Sequence, residues 1–359
     1  AKRELEALGY ENIRVENGKI EFKGGLDDIV KTNLWLRTVD RVLIKLAEFK
    51  AMSFEELFQG TKAVEWADWI PEDGAFIVEG KSLNSKLYSI SDSQRIVEKA
   101  IVEKLKEKYP VEWFSKSGAR YRIEVSILKD IATITLDTSG DGLHKRGDRD
   151  RAGDAPIKET LAAAMILLSY WNKDRVLLDP FCGSGTILIE AAMIGRNMAP
   201  GLDRSFDAEK WSIIPPEIWS SERIKARNAI DFNSQLKLLG CDTDKRSILR
   251  ARDNAANLGL EDDIAFFMKD MRDVDINDEY GVVITNPPYG ERMGEREEVR
   301  KLYTDFGSKF RPLETWSLYV ITSNEEFESL YGRKADRKRK LYNGRIKVDY
   351  YQFYGPRPK

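Results

Sequence analysis

The sequence contains few of the residues that bind metals or form disulfide bonds. Its 359 residues include two cysteines, Cys182 and Cys241, and one histidine, His144. Two cysteines cannot build a disulfide framework, and a single histidine leaves too few ligands for a structural zinc site. The composition therefore predicts a protein of the reducing cytoplasm that holds no metal.

Long apolar runs are also missing. No stretch reaches the ~20 consecutive apolar residues that cross a bilayer, although 42% of the residues are hydrophobic. We therefore expect a soluble globular protein without a membrane anchor, and the length favours two domains. The chain starts AKRELEALGY, with neither an initiator Met nor an apolar leader. We expect that further residues precede this start in the natural protein.

The chain also lacks an excess of positive charge. The chain has 58 Lys and Arg against 60 Asp and Glu, a net charge of −2. A nonspecific nucleic-acid binder usually carries basic charge throughout, so any RNA or DNA surface here must be local. Two basic segments qualify, 144–151 and 332–347. A solvated surface explains either segment equally well.

Residues 1–140 show alternating patterns of helix and strand and predict an α+β domain. A strand is predicted at 41–50, and an amphipathic helix after Ser91-Asp92. The runs RYRIEVSILKD and IATITLDTS flank a turn at Lys129-Asp130 and predict an antiparallel hairpin. Residues 141–155 are rich in glycine and charge and predict a basic linker.

Residues 156–359 repeat the order of apolar strand followed by helix. The strands RVLLD, LKLLGCD, IAFFMKD and GVVITN are apolar enough to be buried on both faces. Such strands, separated by helices, indicate a doubly wound, mostly parallel Rossmann-like sheet. Asn343-Gly344 between two strand-like runs predicts that the sheet ends in an antiparallel hairpin.

The turn after the first of these strands, in LLDPFCGSGTILIE, predicts a cofactor site. Gly183 and Gly185 allow close backbone approach to a ligand, and the following helix offers its free N-terminal amides. Leu188 replaces the third glycine of a dinucleotide-binding turn, and an acid, Asp179, precedes the glycines, which argues against NAD.

Acids follow three consecutive strands and suggest which ligand binds. Asp179 suits an ammonium group, Asp242 a ribose diol, and Asp270 an adenine amino group. Together they fit S-adenosylmethionine better than a phosphate ligand. The alternative is that each Asp only caps a helix or a turn.

The motifs DPFCGSGT and NPPY resemble those of class I S-adenosylmethionine-dependent amino-methyltransferases. More narrowly, GLHKRG, APIKETLAAA, NMAPGLDRSF and NPPYGERM resemble, in this order, the THUMP-domain RNA methyltransferases that modify guanine N2. The resemblance spans nearly the whole chain. It implies a ferredoxin-like part and a THUMP domain before a seven-stranded class I sheet. It also implies cofactor-binding residues in this chain: Asp179, Phe181, Gly183, Gly185, Asp242 and Asp270.

The stretch ITNPPYGERM then predicts the catalytic residues. The lone pair of an exocyclic purine amine is delocalised, so the site must accept hydrogen bonds from both N–H groups as the methyl arrives. The Asn286 side-chain oxygen and the Pro287 carbonyl suit this role, and the proline pair fixes their geometry. Tyr289 is expected to stack on a flipped base. Phenylalanine at 289 would keep the ring and is expected to have a mild effect.

The NPPY motif alone does not select the substrate, since adenine N6 in DNA and glutamine in proteins need the same acceptors. The N-terminal domain favours RNA, with Lys145, Arg146 and Arg149 as predicted RNA-binding residues. We rank guanine N2 of 23S rRNA first, guanine N2 of tRNA second and adenine N6 of DNA third. A noncatalytic RNA-binding factor is the alternative from a different class.

Residues 196–235 form an unusually long connection inside the predicted methyltransferase domain. Phe206, Trp211 and Trp219 are predicted to pack against the edge of its sheet or to cover the cofactor. Stacking of a Trp on RNA is the alternative.

Overall fold

The structure is a computed structural model that describes residues 1–146, 157–290 and 295–358. The chain forms two compact units, Ala1–Gly147 with Gly201–Ala226 and Asp148–Pro200 with Arg227–Lys359. None of the described helices combines the length and the apolar composition needed to span a membrane.

The described residues form ten α-helices and thirteen strands. The helices are α1 Lys2–Ala7, α2 Leu26–Trp35, α3 Phe54–Lys62, α4 Ile90–Lys108, α5 Glu159–Leu167, α6 Thr186–Gly195, α7 Pro216–Asn228, α8 Lys245–Ala256, α9 Glu295–Phe310 and α10 Phe327–Tyr331. The strands are β1 Arg14–Glu16, β2 Lys19–Glu21, β3 Leu43–Lys50, β4 Ala75–Leu83, β5 Arg120–Leu128, β6 Ile131–Asp137, β7 Leu177–Asp179, β8 Leu238–Asp242, β9 Ile264–Met268, β10 Val282–Thr285, β11 Ser317–Thr322, β12 Arg337–Asn343 and β13 Ile346–Phe353.

The first unit is built on a four-stranded sheet in the order β3-β6-β5-β4. The predicted strand at 41–50 and the predicted hairpin are both present, and Lys129 and Asp130 form the turn with positive φ angles of 52° and 64°. Strand β4, which lies parallel to β5, was not predicted. Helix α4 starts earlier than expected, because Ser89 caps it by accepting from the backbone N–H of Asp92.

The segment 201–226 belongs to the first unit. Trp211 is buried, its ring stacks on Tyr121 with centroids 5.0 Å apart, and its indole N–H donates to the Arg120 carbonyl at 2.9 Å. Phe206 and Trp219 stack on each other in the same core. The prediction that these aromatic residues pack on the methyltransferase sheet or cover a cofactor is therefore wrong.

The second unit contains a seven-stranded sheet in the order β12-β13-β11-β10-β7-β8-β9. Strands β7 to β11 run parallel, and β13 pairs antiparallel with both β11 and β12. Successive residues point to opposite faces, so Leu177 joins one hydrophobic core and Leu178 the other. The predicted doubly wound sheet with an antiparallel end is confirmed.

The terminal hairpin turns one residue later than the Asn343-Gly344 signal suggests. Asn343 pairs with Ile346, so Gly344 and Arg345 form the two-residue loop. Gly344 has a φ of +62°, which is the conformation required at the first loop position of a type II′ turn.

The packing of Trp211 generates a stability prediction. We expect Trp211→Ala to lower the free energy of unfolding by about 3 to 5 kcal/mol, the usual cost of truncating a buried Trp. Trp113, which is 76% exposed, provides the control, and its replacement by Ala should change stability by less than about 0.5 kcal/mol. Urea unfolding of both variants checks this. Equal stability of the two variants would contradict the assignment of Trp211 to this core.

Candidate active site

A cleft of about 760 Å³ lies at the carboxyl ends of the central parallel strands in the second unit. β7 lies between β10 and β8, so the chain reverses its direction of winding beside it. Open α/β sheets bind ligands at such a switch point. The structure brings most of the predicted site residues together around this cleft: Asp179, Phe181, Gly183, Asp242, Asp270, Asn286, Pro287 and Tyr289.

Asp179 ends β7 and lies almost fully buried in the floor of the cleft. Its Oδ1 accepts hydrogen bonds from the Thr285 hydroxyl at 2.6 Å and from the backbone N–H of Phe181 at 3.1 Å. Burial raises the pKa of Asp179 to about 7, and the charge of Asp242 adds to this, while the two hydrogen bonds oppose it. The carboxyl is therefore poised to ionise near neutral pH.

The glycine turn after β7 is held by a carboxylate from the neighbouring strand. Gly183, with φ +52°, donates its N–H to Asp242 Oδ2 at 3.0 Å, and the other Asp242 oxygen accepts from the Asp244 N–H at 2.8 Å. Gly185 caps α6 with φ +83°, and a Cβ there would lie 2.9 Å from the Phe266 ring. Gly185 therefore shapes the turn without lining the cleft itself.

Asp270 also lines the cleft, but its carboxylate already has partners. One oxygen accepts from the backbone N–H of Arg272 at 2.9 Å and the other from the Arg272 guanidinium at 2.8 Å. The capping interpretation thus applies to Asp270. A contact with adenine stays a prediction for the remaining lone pairs of this carboxylate.

The loop after β10 brings the predicted catalytic residues together. The Tyr289 hydroxyl donates to Asn286 Oδ1 at 2.6 Å. The Tyr303 hydroxyl on α9 donates to the Pro288 carbonyl at 2.7 Å and lies 2.9 Å from the Thr322 hydroxyl. Tyrosine hydroxyls therefore fix both the Asn286 side-chain oxygen and the Pro288 backbone carbonyl of this loop.

The predicted RNA-binding residues of the first unit do not form one surface. Arg146 is buried, and its guanidinium donates to the backbone carbonyls of Leu143 and Arg37 at 2.6 and 2.7 Å. The prediction that Arg146 binds phosphate is therefore wrong. Lys145 is exposed and pairs with Asp141 at 3.2 Å. Arg149 lies outside the described residues.

Comparison with known families decides what kind of domain carries this cleft. Residues 146–352 match the family described as "RMKL-like, methyltransferase domain", which covers more than half of the chain. The chain belongs to the RMKL-like methyltransferases. Residues 1–43 match the RlmL ferredoxin-like domain and residues 51–137 the THUMP domain, so the predicted family and domain types are confirmed.

Two relatives illustrate the family. The Bacillus subtilis (strain 168) protein named "Putative RNA methyltransferase YpsC" is 51% identical over 98% of this chain and 92% of the relative. A Psychromonas ingrahamii protein named "Ribosomal RNA large subunit methyltransferase K/L" is 36% identical over 96% of this chain and 47% of the relative. The chain thus spans about half the length of the K/L relative.

Two crystal structures share the whole fold. SMU.472, described as "a putative methyltransferase complexed with SAH", has a TM-score of 0.93 and 46% identity over 99% of this chain and 95% of that chain. A Listeria monocytogenes protein described as "a predicted N6-adenine-specific DNA methylase" has a TM-score of 0.94 and 50% identity over 99% of this chain and 92% of that chain. This RMKL-like protein is an S-adenosylmethionine-dependent methyltransferase.

The cleft fits S-adenosylmethionine in size and in chemistry. Its volume lies within the roughly 300–1,000 Å³ usual for ligand sites. Asp179 offers a buried acid to a cationic group. Asp242, whose oxygens each accept one backbone N–H, offers its remaining lone pairs to a diol. We propose that these two residues hold the cofactor, with Gly183 allowing its close approach.

Three residues important for the site geometry were missed by sequence reasoning. Thr285 stands directly before the NPPY motif, and this adjacency was an available signal. Tyr303 lies at helical spacing with buried apolar residues of α9, so its pattern indicates only a core position. Asn254 on α8 donates to the Ser184 carbonyl at 3.1 Å, and nothing in its local sequence indicates that partner.

The pKa of Asp179 yields a prediction for cofactor binding. Below pH 7 the buried carboxyl is protonated in the free enzyme, and a cationic ligand favours the ionised form. We therefore expect S-adenosylmethionine to release up to one proton on binding at pH 6 and less at pH 7.5, where the ligand's α-ammonium group is still largely charged, with affinity rising between these two pH values. Calorimetry in buffers of different ionisation enthalpy measures this release. Asp179→Asn should abolish it, and equal release from wild type and variant would remove Asp179 from the cofactor site.

Proposed function

We propose that this enzyme methylates the exocyclic N2 amine of a guanine in RNA, with large-subunit ribosomal RNA as the substrate. The juxtaposition of two acceptors at the end of β10 with the cofactor turn at the end of β7 carries this proposal. The THUMP domain and the K/L relatives support RNA and, more narrowly, ribosomal RNA.

The acceptors are fixed before any substrate binds. The Asn286 oxygen is oriented by Tyr289, and the adjoining Pro288 carbonyl is held by Tyr303. No hydrogen bond to the Pro287 carbonyl is made by a described residue. Pro287 O and Asn286 Oδ1 are therefore assigned to the two N–H groups of the target amine, where little reorganisation is needed.

The amine must become pyramidal to attack. S-adenosylmethionine would supply an electrophilic methyl group, whose bond to the sulfonium sulfur breaks as the N–C bond forms, so that the sulfur keeps the electron pair and leaves as a neutral thioether. Hydrogen bonds from the amine to Asn286 and Pro287 localise its lone pair, and the nitrogen releases one proton to water after the new N–C bond has formed. The acceptors need no change of protonation state themselves.

Tyr289 has a second role in this proposal. Its hydroxyl donates to Asn286 Oδ1 at 2.6 Å, so the ring and the catalytic amide are coupled. Phenylalanine at position 289 would keep the stacking surface but release the amide. The structure therefore replaces the expectation of a mild effect with that of a measurable loss in rate.

The main test is replacement of the proposed amide acceptor. We expect Asn286→Ala to lower kcat about a hundredfold or more, since loss of one preorganised partner costs roughly 3 kcal/mol in the transition state. S-adenosylmethionine and RNA affinities should stay near wild type. Single-turnover transfer of a labelled methyl group to 23S rRNA, followed by nucleoside analysis for N2-methylguanosine, measures the effect.

A control variant and competing substrates accompany the Asn286→Ala experiment. Asn233 is exposed outside the cleft, and Asn233→Ala should transfer methyl groups at the wild-type rate. A tRNA transcript, a DNA duplex and a protein extract serve as competing substrates. Label on adenine or on protein, or a wild-type rate for Asn286→Ala, would contradict the guanine mechanism.

Tyr303 acts on the reaction through the loop and provides a separate prediction. Tyr303→Phe removes the hydrogen bond to the Pro288 carbonyl, so we expect kcat to fall about 2- to 10-fold, in line with a net value near 1 kcal/mol. S-adenosylmethionine affinity should not change. The control is Tyr331→Phe, a buried tyrosine whose hydroxyl has no hydrogen bond to a described residue. A similar loss in both variants would indicate general core damage and not loop positioning.

A further inference from the structure

The hairpin formed by β12 and β13 concentrates positive charge in a protein that otherwise lacks it. Residues 333–347 contain eight Lys or Arg and one acidic residue. The other 344 residues therefore share 50 basic and 59 acidic side chains. A net charge of +7 in fifteen residues, against −9 elsewhere, marks this segment, which contains β12 and the hairpin tip, as a candidate surface for an anionic polymer.

Strand geometry collects part of this charge on one side. Alternate residues of a strand share a face, so Lys338, Lys340 and Tyr342 of β12 lie on the same face. Tyr342 pairs directly with Lys347 of β13, which places Lys347 on that face as well. We refer to these four residues as the hairpin face.

The ion pairs on this face leave most of its charge uncompensated. Lys338 pairs with Asp349 at 3.3 Å. Within the described residues, Lys340 and Lys347 have no ion pair, and the Lys340 ammonium lies 5.6 Å from the centre of the Tyr342 ring. Tyr342 itself is 56% exposed. The face thus offers two available cations on either side of an accessible aromatic ring.

The tip of the hairpin lies at the active-site cleft. Asn343 and Ile346, which pair with each other at the hairpin tip, line the same cleft as Asn286 and Tyr289. Tyr342 and Lys347 are their immediate neighbours in the chain and lie on the other side of the hairpin. A polymer that places one unit in the cleft and leaves it over the hairpin tip would reach this face with the next units.

Protection of the sheet edge is the simpler explanation for lysines on β12. Charged side chains on an edge strand do prevent pairing with other chains. This accounts for Lys340 and also for Lys347, because β13 pairs with β11 only from Asp349 onward. It does not account for Tyr342, since an exposed aromatic residue weakens such protection, nor for the position of the hairpin tip beside the cleft.

We propose that the hairpin face binds the unpaired RNA strand adjoining the target nucleotide. Lys340 and Lys347 contact phosphates, and Tyr342 stacks on a neighbouring base, the combination by which proteins hold single-stranded nucleic acid. This inference rests on the proposed RNA substrate. It adds a surface that selects targets in loops or at strand ends over fully paired helices.

Binding of the full chain to a labelled single-stranded RNA, measured over a range of salt concentrations, tests the proposal. We expect Lys340→Gln with Lys347→Gln to reduce the slope of log affinity against log salt by about 1.4, since each phosphate contact on a single strand contributes about 0.7. Tyr342→Ala should lose about 5- to 150-fold in affinity, and Tyr342→Phe should retain it. The same RNA annealed to its complement should bind more weakly to wild type and lose less in each variant.

The matched control has the same change of charge on another surface. Lys173→Gln with Lys237→Gln alters two exposed lysines that precede β7 and β8, at the end of the sheet away from the cleft, and the salt slope should stay at the wild-type value. All variants should bind S-adenosylmethionine as wild type does, which shows that the second unit is folded. An unchanged slope in the hairpin variant, an equal change in the control, or equal losses on duplex RNA would overturn the proposal and leave edge protection as the role of these lysines.

This experiment is separable from the test of the reaction itself. RNA affinity is measured without methyl transfer. The assay therefore shows whether the hairpin face binds RNA even if the methyl label later appears on a different base. Conversely, wild-type enzyme that binds the single strand through this face but yields no N2-methylguanosine would overturn the proposed reaction and retain the binding surface.

Discussion

One buried hydrogen bond joins the two halves of the candidate active site. The Thr285 hydroxyl at the end of β10 donates to the Asp179 carboxylate at the end of β7, at 2.6 Å. Asp179 begins the cofactor turn, and Thr285 precedes the loop that presents Asn286 and Pro287. Because both partners are buried, loss of Asp179 would leave the Thr285 hydroxyl without its acceptor, which costs about 1 to 3 kcal/mol, and loss of Thr285 would leave the Asp179 carboxyl with only the Phe181 N–H on that oxygen. The separation between cofactor turn and acceptor loop therefore depends on this contact.

Other contacts in the site also join two elements, and in each of them a side chain of one element hydrogen-bonds to the backbone of another. Asp242 holds the N–H of Gly183, Asn254 holds the Ser184 carbonyl, and Tyr303 holds the Pro288 carbonyl. A cofactor turn and an acceptor loop held in this way keep the Asn286 and Pro287 oxygens in place for a reacting amine. Such preorganised acceptors suit a methyl transfer in which the enzyme stabilises a changing charge distribution and needs no histidine base.

Whether the role of a residue could be predicted depends on how far along the chain its partners lie. The parallel strands were predictable because strands buried on both faces are continuous apolar runs, and the site residues Asp179, Asp242 and Asn286 stand directly at their ends. Arg146 shows the opposite case. Its sequence neighbours are basic, but its guanidinium is buried against the carbonyl of Arg37, 109 residues earlier. A basic run gives no information about which of its members face water.

The segment 201–226 was misassigned for a related reason, and its true position has a consequence for how the protein can be divided. An aromatic residue in an irregular stretch has no periodicity that identifies its partner. Trp211 covers Tyr121 and Trp219 covers Phe206 in the first unit, although both tryptophans lie within the matched methyltransferase region. The first unit is therefore discontinuous. A fragment that ends at the basic linker would expose the Tyr121 ring, and during synthesis this unit can close only after residue 226 has been made.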